Sequence, residues 1–381
     1  QEAGFHVTTM ESDGKEKKQS ITIRRPDDFH HHMRDGDIMR DLLPYAVNQY
    51  GRVIAMEGSN TTTLGALNYQ DRILEALGPN SFFEPLMMFY LTDDTPVQEI
   101  INAAESGDIH GVKYYPLGQT TSGIGVSDFS QIIPVLQMLA QVGIPMLIHC
   151  EDSRDEVDAL NREAVFIDQQ LRPVVEQMPD LKVQIEHIST KVAVDFVRQY
   201  PNVGATITAQ HLLYNRNIMI QNGRFQPHYF CIPFLNTEEN RLALVDAATS
   251  GDPSFWLGSD SAPHPRQEKE GASVGPGCFT SFAALEFYTT AFEQAGRLEN
   301  LEAFASENGA RFHGLPLDTN APALEIVREQ WTIPDFLPYG DDVVVPMSFG
   351  EQLQWRVRPL KDDTDEDENQ RDSIEDDWAF L

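Results

Sequence analysis

Eight short apolar, β-branched runs recur along this chain, separated by longer segments with helical periodicity. That alternation constrains the fold more than any other feature. The runs read as strands are Ile21–Arg25, Arg52–Met56, Leu86–Leu91, Gly111–Tyr115, Met146–His149, Val183–His187, Gly204–Thr208 and Phe255–Gly258. Between them lie amphipathic stretches such as Val97–Ser106, Phe129–Gln141, Arg154–Met178 and Thr237–Ala248. Strands joined through crossover helices pair in parallel. Eight such units close a (β/α)8 TIM barrel, with a doubly wound open sheet as the alternative. Beyond Phe282 the pattern turns helical, and Val343–Val345 with Leu353–Val357 reads as late strands packed outside the barrel. No internal repeat is visible. The expected organisation is a flexible segment over 1–19, one barrel domain over 20–360 and an acidic, disordered tail over 361–381.

Charge and cysteine content narrow the function classes. The formal charge is 28 − 59 = −31, which excludes the basic surface that phosphate backbones and anionic membranes require. Residues 361–381 alone carry ten acidic and two basic side chains. Cys150, Cys231 and Cys278 are odd in number and far apart, so a disulfide framework is not expected and a reducing compartment fits. No run reaches the ~18 apolar residues of a membrane span. The expected location is cytoplasmic, or organellar if an upstream transit peptide has been removed.

Metal-capable residues fall where the strands end. In Asp-Asp-Phe-His-His-His-Met-Arg-Asp, strand alternation turns His30 and His32 to one face and His31 to the other. Two imidazoles on one face make half of a zinc site. Lys113 ends the fourth run, His149 the fifth and His187 the sixth, while Asp260 follows the eighth. The intervals of 36 residues from Lys113 to His149 and 38 from His149 to His187 each match one β/α unit. Recurrence at that interval gathers these side chains at the C-terminal face, where barrel enzymes carry their sites. Taken in isolation Lys113 reads as an ordinary paired lysine; among metal ligands it makes sense only as a carbamate, because an ammonium repels cations.

Six segments then carry a resemblance. Ile-Arg-Arg-Pro-Asp-Asp-Phe-His-His-His-Met-Arg-Asp-Gly (23–36) resembles the opening motif of the single-function bacterial and plant type of dihydroorotase, in the amidohydrolase superfamily. Gly-Val-Lys-Tyr-Tyr-Pro (111–116), Ile-His-Cys-Glu (148–151) and Glu-His-Ile-Ser-Thr-Lys (186–191) are similar to later segments of it. So are Ala-Thr-Ile-Thr-Ala-Gln-His-Leu (205–212) and Leu-Gly-Ser-Asp-Ser-Ala-Pro-His (257–264). The likeness is collinear from about Ser20 to Val357.

The resemblance implies reversible cyclisation of N-carbamoyl-L-aspartate to dihydroorotate in pyrimidine biosynthesis, by a homodimer acting on a small molecule. It implies two zinc ions per chain, one on His30, His32 and Asp260 and one on His149 and His187. Carboxylated Lys113 and a hydroxide would bridge them, with Asp260 as the catalytic proton carrier. Arg34 and His264 would bind the substrate carboxylate. Where the family has Met-Pro-Asn, this chain reads Met56-Glu57-Gly58-Ser59-Asn60. Asn60 is the candidate for the missing contact. Thr120 and Thr121, in the Gly- and Thr-rich stretch after Lys113, match a mobile loop that closes on substrate. Pro276, in Gly271–Cys278, offers a backbone carbonyl to the ring. Two other readings stand beside this one: a hydantoinase- or allantoinase-like enzyme for another cyclic amide, and an inactive homologue serving as a scaffold. His6, His31, His110, His211, His228 and His313 are read as structural or surface residues.

Overall fold

The computed structural model describes residues 6–12, 15–57, 60–79, 81–118, 123–317 and 320–359. Eight parallel strands lie side by side in chain order: β1 (Asp27–His31), β2 (Arg52–Ala55), β3 (Glu84–Tyr90), β4 (Ile109–Tyr114), β5 (Met146–Ile148), β6 (Val183–Ile185), β7 (Val203–Ile207) and β8 (Phe255–Leu257). They are nearly all buried because helices cover the outside and side chains fill the inside. Phe29, Ile54, Leu86, Met88, Leu147 and Trp256 pack together as the inner core. Val53, Met87, Phe89, Val112, Met146 and Ile148 face the surrounding helices.

The interior is tight enough to dictate glycine. A Cβ on Gly204 would lie 2.1 Å from the Trp256 ring. The surrounding helices take ordinary stop and start signals. Thr62, Thr190 and Thr237 cap helices Thr63–Leu77, Lys191–Val197 and Glu238–Thr249 through their side chains. Gly107 and Gly143, both left-handed, end Val97–Ser106 and Ile133–Val142.

Strands β1 and β8 meet at the seam where the barrel closes. No ladder runs between them; their ends are joined by a bridge from His31 to Ser261. Asp260 N donates to His30 O at 2.9 Å and His32 N to Ser261 O at 3.2 Å. Beneath these bonds the buried Asp28 carboxylate accepts from Ser259 N at 2.8 Å, Ser259 Oγ at 2.5 Å and His30 N at 3.1 Å.

The first strand differs from the sequence expectation. Ile21–Ile23 belongs to an outer antiparallel sheet of His6–Ser12, Lys15–Ile23, Leu324–Thr332 and Gln352–Pro359. The barrel instead begins at Asp27. Its polar residues hide its strand character because their partners are distant: Arg52 grips Asp27 through Nε at 2.9 Å and Nη2 at 2.5 Å. Residues 6–12 and 15–19, expected as part of a flexible lead, are paired in a hairpin. Ladder bonds are made by the main chain, so a polar sequence does not prevent them. The expected helix from Arg154 begins only at Arg162. Of the late strands, Leu353–Val357 lies in the outer sheet, while Asp342–Val344 pairs separately with Leu337–Tyr339. Residues 361–381 lie outside the described residues. Among the described residues, no helix is long and apolar enough to cross a membrane.

Gly204→Ala is expected to lower stability by roughly 1–3 kcal/mol through overpacking against Trp256. A urea unfolding curve with an unchanged midpoint would refute that account of the interior.

Candidate metal centre and substrate site

A register shift between Asp28 and His31 accompanies the turn of both Phe29 and His30 into the barrel. Phe29 meets Trp256, with ring centroids 6.3 Å apart, and His30 meets His187 at 4.9 Å. His31 points the other way, to Asp28 at 2.8 Å and toward Tyr50. His30 Nε2 lies 3.4 Å from His32 Nε2 and 3.2 Å from Asp260 Oδ1, and His32 Nε2 lies 3.3 Å from the same oxygen. Three donor atoms thus converge from two strands that are adjacent only at the seam. On the far side of His30, His149 Nδ1 and His187 Nε2 stand 3.2 Å apart. His149 Nε2 is 2.7 Å from Glu151 Oε2, which leaves Nδ1 as the nitrogen turned inward. Tyr115 stacks on the His149 ring at 4.5 Å.

Lys113 completes the group. It is 1% exposed, and its Nζ contacts Glu186 Oε2. Glu186 Oε1 is 3.0 Å from His30 Nδ1 but out of line for a hydrogen bond, so neither atom has a hydrogen-bond partner among the described residues, nor does His187 Nδ1. His30, Glu186 and His187 form a second set of convergent donors.

Burial governs the protonation states. It pushes His32 down to about 3 and also lowers His30, His149 and His187. Neutral imidazoles present lone pairs, the form that binds metal. Burial raises Asp260, but His30, His32 and His187 outweigh it and hold the carboxylate ionised. Burial also takes the Lys113 amine down to about 7, against the opposing charge of Asp260. A neutral amine is what carbamate formation needs.

The backbone is strained where the site is built. Arg34, His187 and Asp260 have φ of 60°, 43° and 45°, left-handed values that non-glycine residues rarely adopt. Each costs about 1–3 kcal/mol and persists only where surroundings enforce it. His187 N donates to Thr206 Oγ1 at 2.7 Å, and Arg34 O accepts from Tyr69 at 2.5 Å. Buried Glu163 accepts from Ser189 N at 2.7 Å and Thr190 Oγ1 at 2.5 Å, fixing the turn after His187.

Of the expected substrate residues, Arg34, His264 and Pro276 meet in the loops that follow β1 and β8. Arg34 Nε and Nη2 donate to Pro263 O at 3.0 and 2.6 Å. His264 Nε2 is 2.9 Å from Pro276 O, and its Nδ1 is 3.0 Å from Glu268. Asn60 is buried; its main-chain carbonyl accepts from Tyr90 N, and its side-chain Nδ2 has no partner among the described residues. An unpaired buried amide is costly, so a polar group arriving there gains affinity. Thr120 and Thr121 lie outside the described residues. His211, His228 and His313 are held by Thr208, Glu270 and Gln184.

Sequence reading passed over Asp28, Glu151, Glu163 and Glu186. Glu151 was within reach, since it stands two residues from His149, at the spacing that links His30 to His32. Glu186 precedes His187 directly. Asp28 and Glu163 gave no local signal, because their partners come from other β/α units.

Two overlapping groups of side chains, His30 with His32 and Asp260 and His30 with Glu186 and His187, could each hold a metal ion. The donors suit a metal such as zinc, which takes imidazole nitrogen and carboxylate oxygen, and burial keeps the imidazoles neutral. Glu151→Ala, by freeing the His149 ring, is expected to weaken divalent-metal affinity roughly 10–100-fold. Chelator competition would measure this; unchanged affinity would deny Glu151 an orienting role.

No protein-family model matches the chain. It is 49% identical over 345 residues to a dihydroorotase of Cupriavidus pinatubonensis (strain JMP 134), covering 89% of this chain and 99% of the relative. It is 48% identical over 342 residues to a dihydroorotase of Pseudomonas fluorescens (strain SBW25), covering 88% and 97%. Among solved structures, Saccharomyces cerevisiae dihydroorotase in complex with 5-fluoroorotic acid superposes with a TM-score of 0.83 at 29% identity, over 90% of this chain and all of that one. The L-hydantoinase of Arthrobacter aurescens, at 16% identity and TM-score 0.72, covers 89% of this chain and 83% of its own and shares the fold.

Proposed function

The chain belongs to the dihydroorotase family, and from that premise we propose how its own residues divide the work of the reaction. The enzyme is a hydrolase of a cyclic amide: it interconverts dihydroorotate with N-carbamoyl-L-aspartate in pyrimidine biosynthesis. The metal site belongs to the same reading. His30, His32 and Asp260 would hold one zinc ion, His149 and His187 a second, and Lys113, as its carbamate, would lie between them. Bound there, the ions would supply an activated water of near-neutral pKa and an electrophile for the ring carbonyl.

The remaining steps belong to side chains. Opening the ring forms a C–O bond to the carbonyl carbon and breaks its C–N bond, so one proton must leave the water and one must reach the departing nitrogen. Asp260, ionised and at the end of β8, can accept the first and return it as the second. Lys113, once a carbamate, no longer carries the positive charge that would compete with cations for the imidazoles. It also could not keep its ion pair with Glu186, which must then turn to another partner or bind a proton.

Arg34, His264 and Asn60 would receive the substrate carboxylate. The Arg34 guanidinium supplies charge and directed donors, and the unpaired Asn60 amide supplies a further donor. A neutral ring such as hydantoin would leave this end of the site unused. The observation that carries the whole reading is the convergence of His30, His32 and Asp260 within hydrogen-bond range of one another, beside the His149–His187 pair.

The test is turnover of dihydroorotate, followed by ultraviolet absorbance, on protein prepared with zinc and bicarbonate. Metal content is measured on the same sample. Wild type should turn over with about two zinc ions per chain, and Lys113→Ala should lose both activity and bound metal. Asp260→Asn should lower kcat by at least ~10²-fold, the usual scale for removing a general base. Zinc without turnover of dihydroorotate, joined to turnover of hydantoin, would overthrow the carboxylate-binding assignment.

A further inference from the structure

Lys269 is buried at 3% exposure, and among the described residues it enters no ion pair. Its ammonium instead donates to three main-chain carbonyls: Phe230 O at 3.0 Å, Gly275 O at 2.9 Å and Gly277 O at 2.8 Å. A lysine has three donors, and here each has one acceptor. The nearby carboxylates are engaged elsewhere. Glu268 faces His264 at 3.0 Å, and Glu270 faces His228 at 3.1 Å.

These bonds converge on one loop. Gly277 N also donates to Phe230 O at 2.9 Å, so the loop end is tied to the 230 segment from both sides. Between Gly275 and Gly277, whose carbonyls Lys269 holds, is Pro276, with its O 2.9 Å from His264 Nε2. The next residue, Cys278, bridges Ser261, and its carbonyl accepts from Ala262 N at 2.9 Å. The loop is therefore fixed within two residues of Asp260. Its approach is close: a Cβ on Gly277, whose φ is 147°, would lie 2.5 Å from Ala262 O.

We propose that Lys269 is a positioning residue for substrate recognition. It clamps the 275–277 backbone so that His264 and the Pro276 carbonyl stand in register with Asp260, and it sets a fixed positive charge behind a site that takes an anion. This rests on the dihydroorotase reading for its substrate, while the clamp itself does not. A buried lysine kept only for stability would hold the fold together without tuning affinity for one ligand.

Lys269→Met keeps the length of the side chain and removes both donors and charge, while Lys269→Gln keeps two donors without charge. Hydrogen–deuterium exchange on the ligand-free enzyme reads the clamp. In Lys269→Met the amides of Gly275, Gly277 and Cys278 should exchange faster, with the barrel strands unchanged. Steady-state kinetics read the function: KM for dihydroorotate should rise roughly tenfold or more with kcat within about two-fold, the signature of lost substrate binding. Zinc content should match wild type, and Lys269→Gln should fall between the two. Unchanged exchange would overturn the clamp whatever the substrate. Faster exchange with an unchanged KM, or a fall in kcat together with zinc loss, would overturn the recognition role. A wild type that ignores dihydroorotate would instead sink the functional reading, with the clamp still judged on exchange.

Discussion

One buried carboxylate holds the barrel shut where it matters most. Asp28 accepts hydrogen bonds from Ser259 and from the backbone of His30, and it faces His31 at 2.8 Å. It therefore joins β1 to the turn after β8 at the seam that lacks a full ladder. His30 lies on β1, His32 directly after it, and Asp260 in the turn that follows β8. Burying an anion is expensive unless hydrogen bonds compensate it, and here the compensating donors all come from the pieces that must be aligned. Closure of the fold and assembly of the site are one event.

The same burial shapes the chemistry. Imidazoles taken out of water become neutral, and the Lys113 amine moves down toward about 7. An acidic chain attracts protons and cations over its whole surface. The site differs because its charges are few, enclosed and directed. Left-handed backbone at Arg34, His187 and Asp260 turns each side chain away from the direction its strand would give it. The cost of that strain is tolerable because Thr206, Tyr69 and the seam bonds hold the turns from outside.

Around this centre the rim is organised by main-chain carbonyls more than by side-chain pairs. Pro263 O receives Arg34, Pro276 O faces His264, and Phe230 O, Gly275 O and Gly277 O receive Lys269. Cations held by neutral carbonyls keep their charge uncancelled. That suits a site whose substrate is an anion.

Periodicity and spacing made much of this legible. The alternation of apolar runs and helices gave seven of the eight barrel strands close to their true bounds, and the recurrence of Lys113, His149 and His187 at one-unit intervals placed them at a common face. The alternation of His30, His31 and His32 correctly separated inward from outward rings. These are local properties, because a strand's period and a unit's length are set by nearby backbone geometry. The first barrel strand escaped, since Asp27 and Asp28 look like loop residues until Arg52 and Ser259 are beside them. Asp28 and Ser259 are 231 positions apart, and Arg34 and Pro263 are 229 apart. The sequence by itself determined which groups arrive at the mouth of the barrel. Only the tertiary structure decided their partners, their tilt and their protonation, because those depend on desolvation and on atoms brought from the far end of the chain.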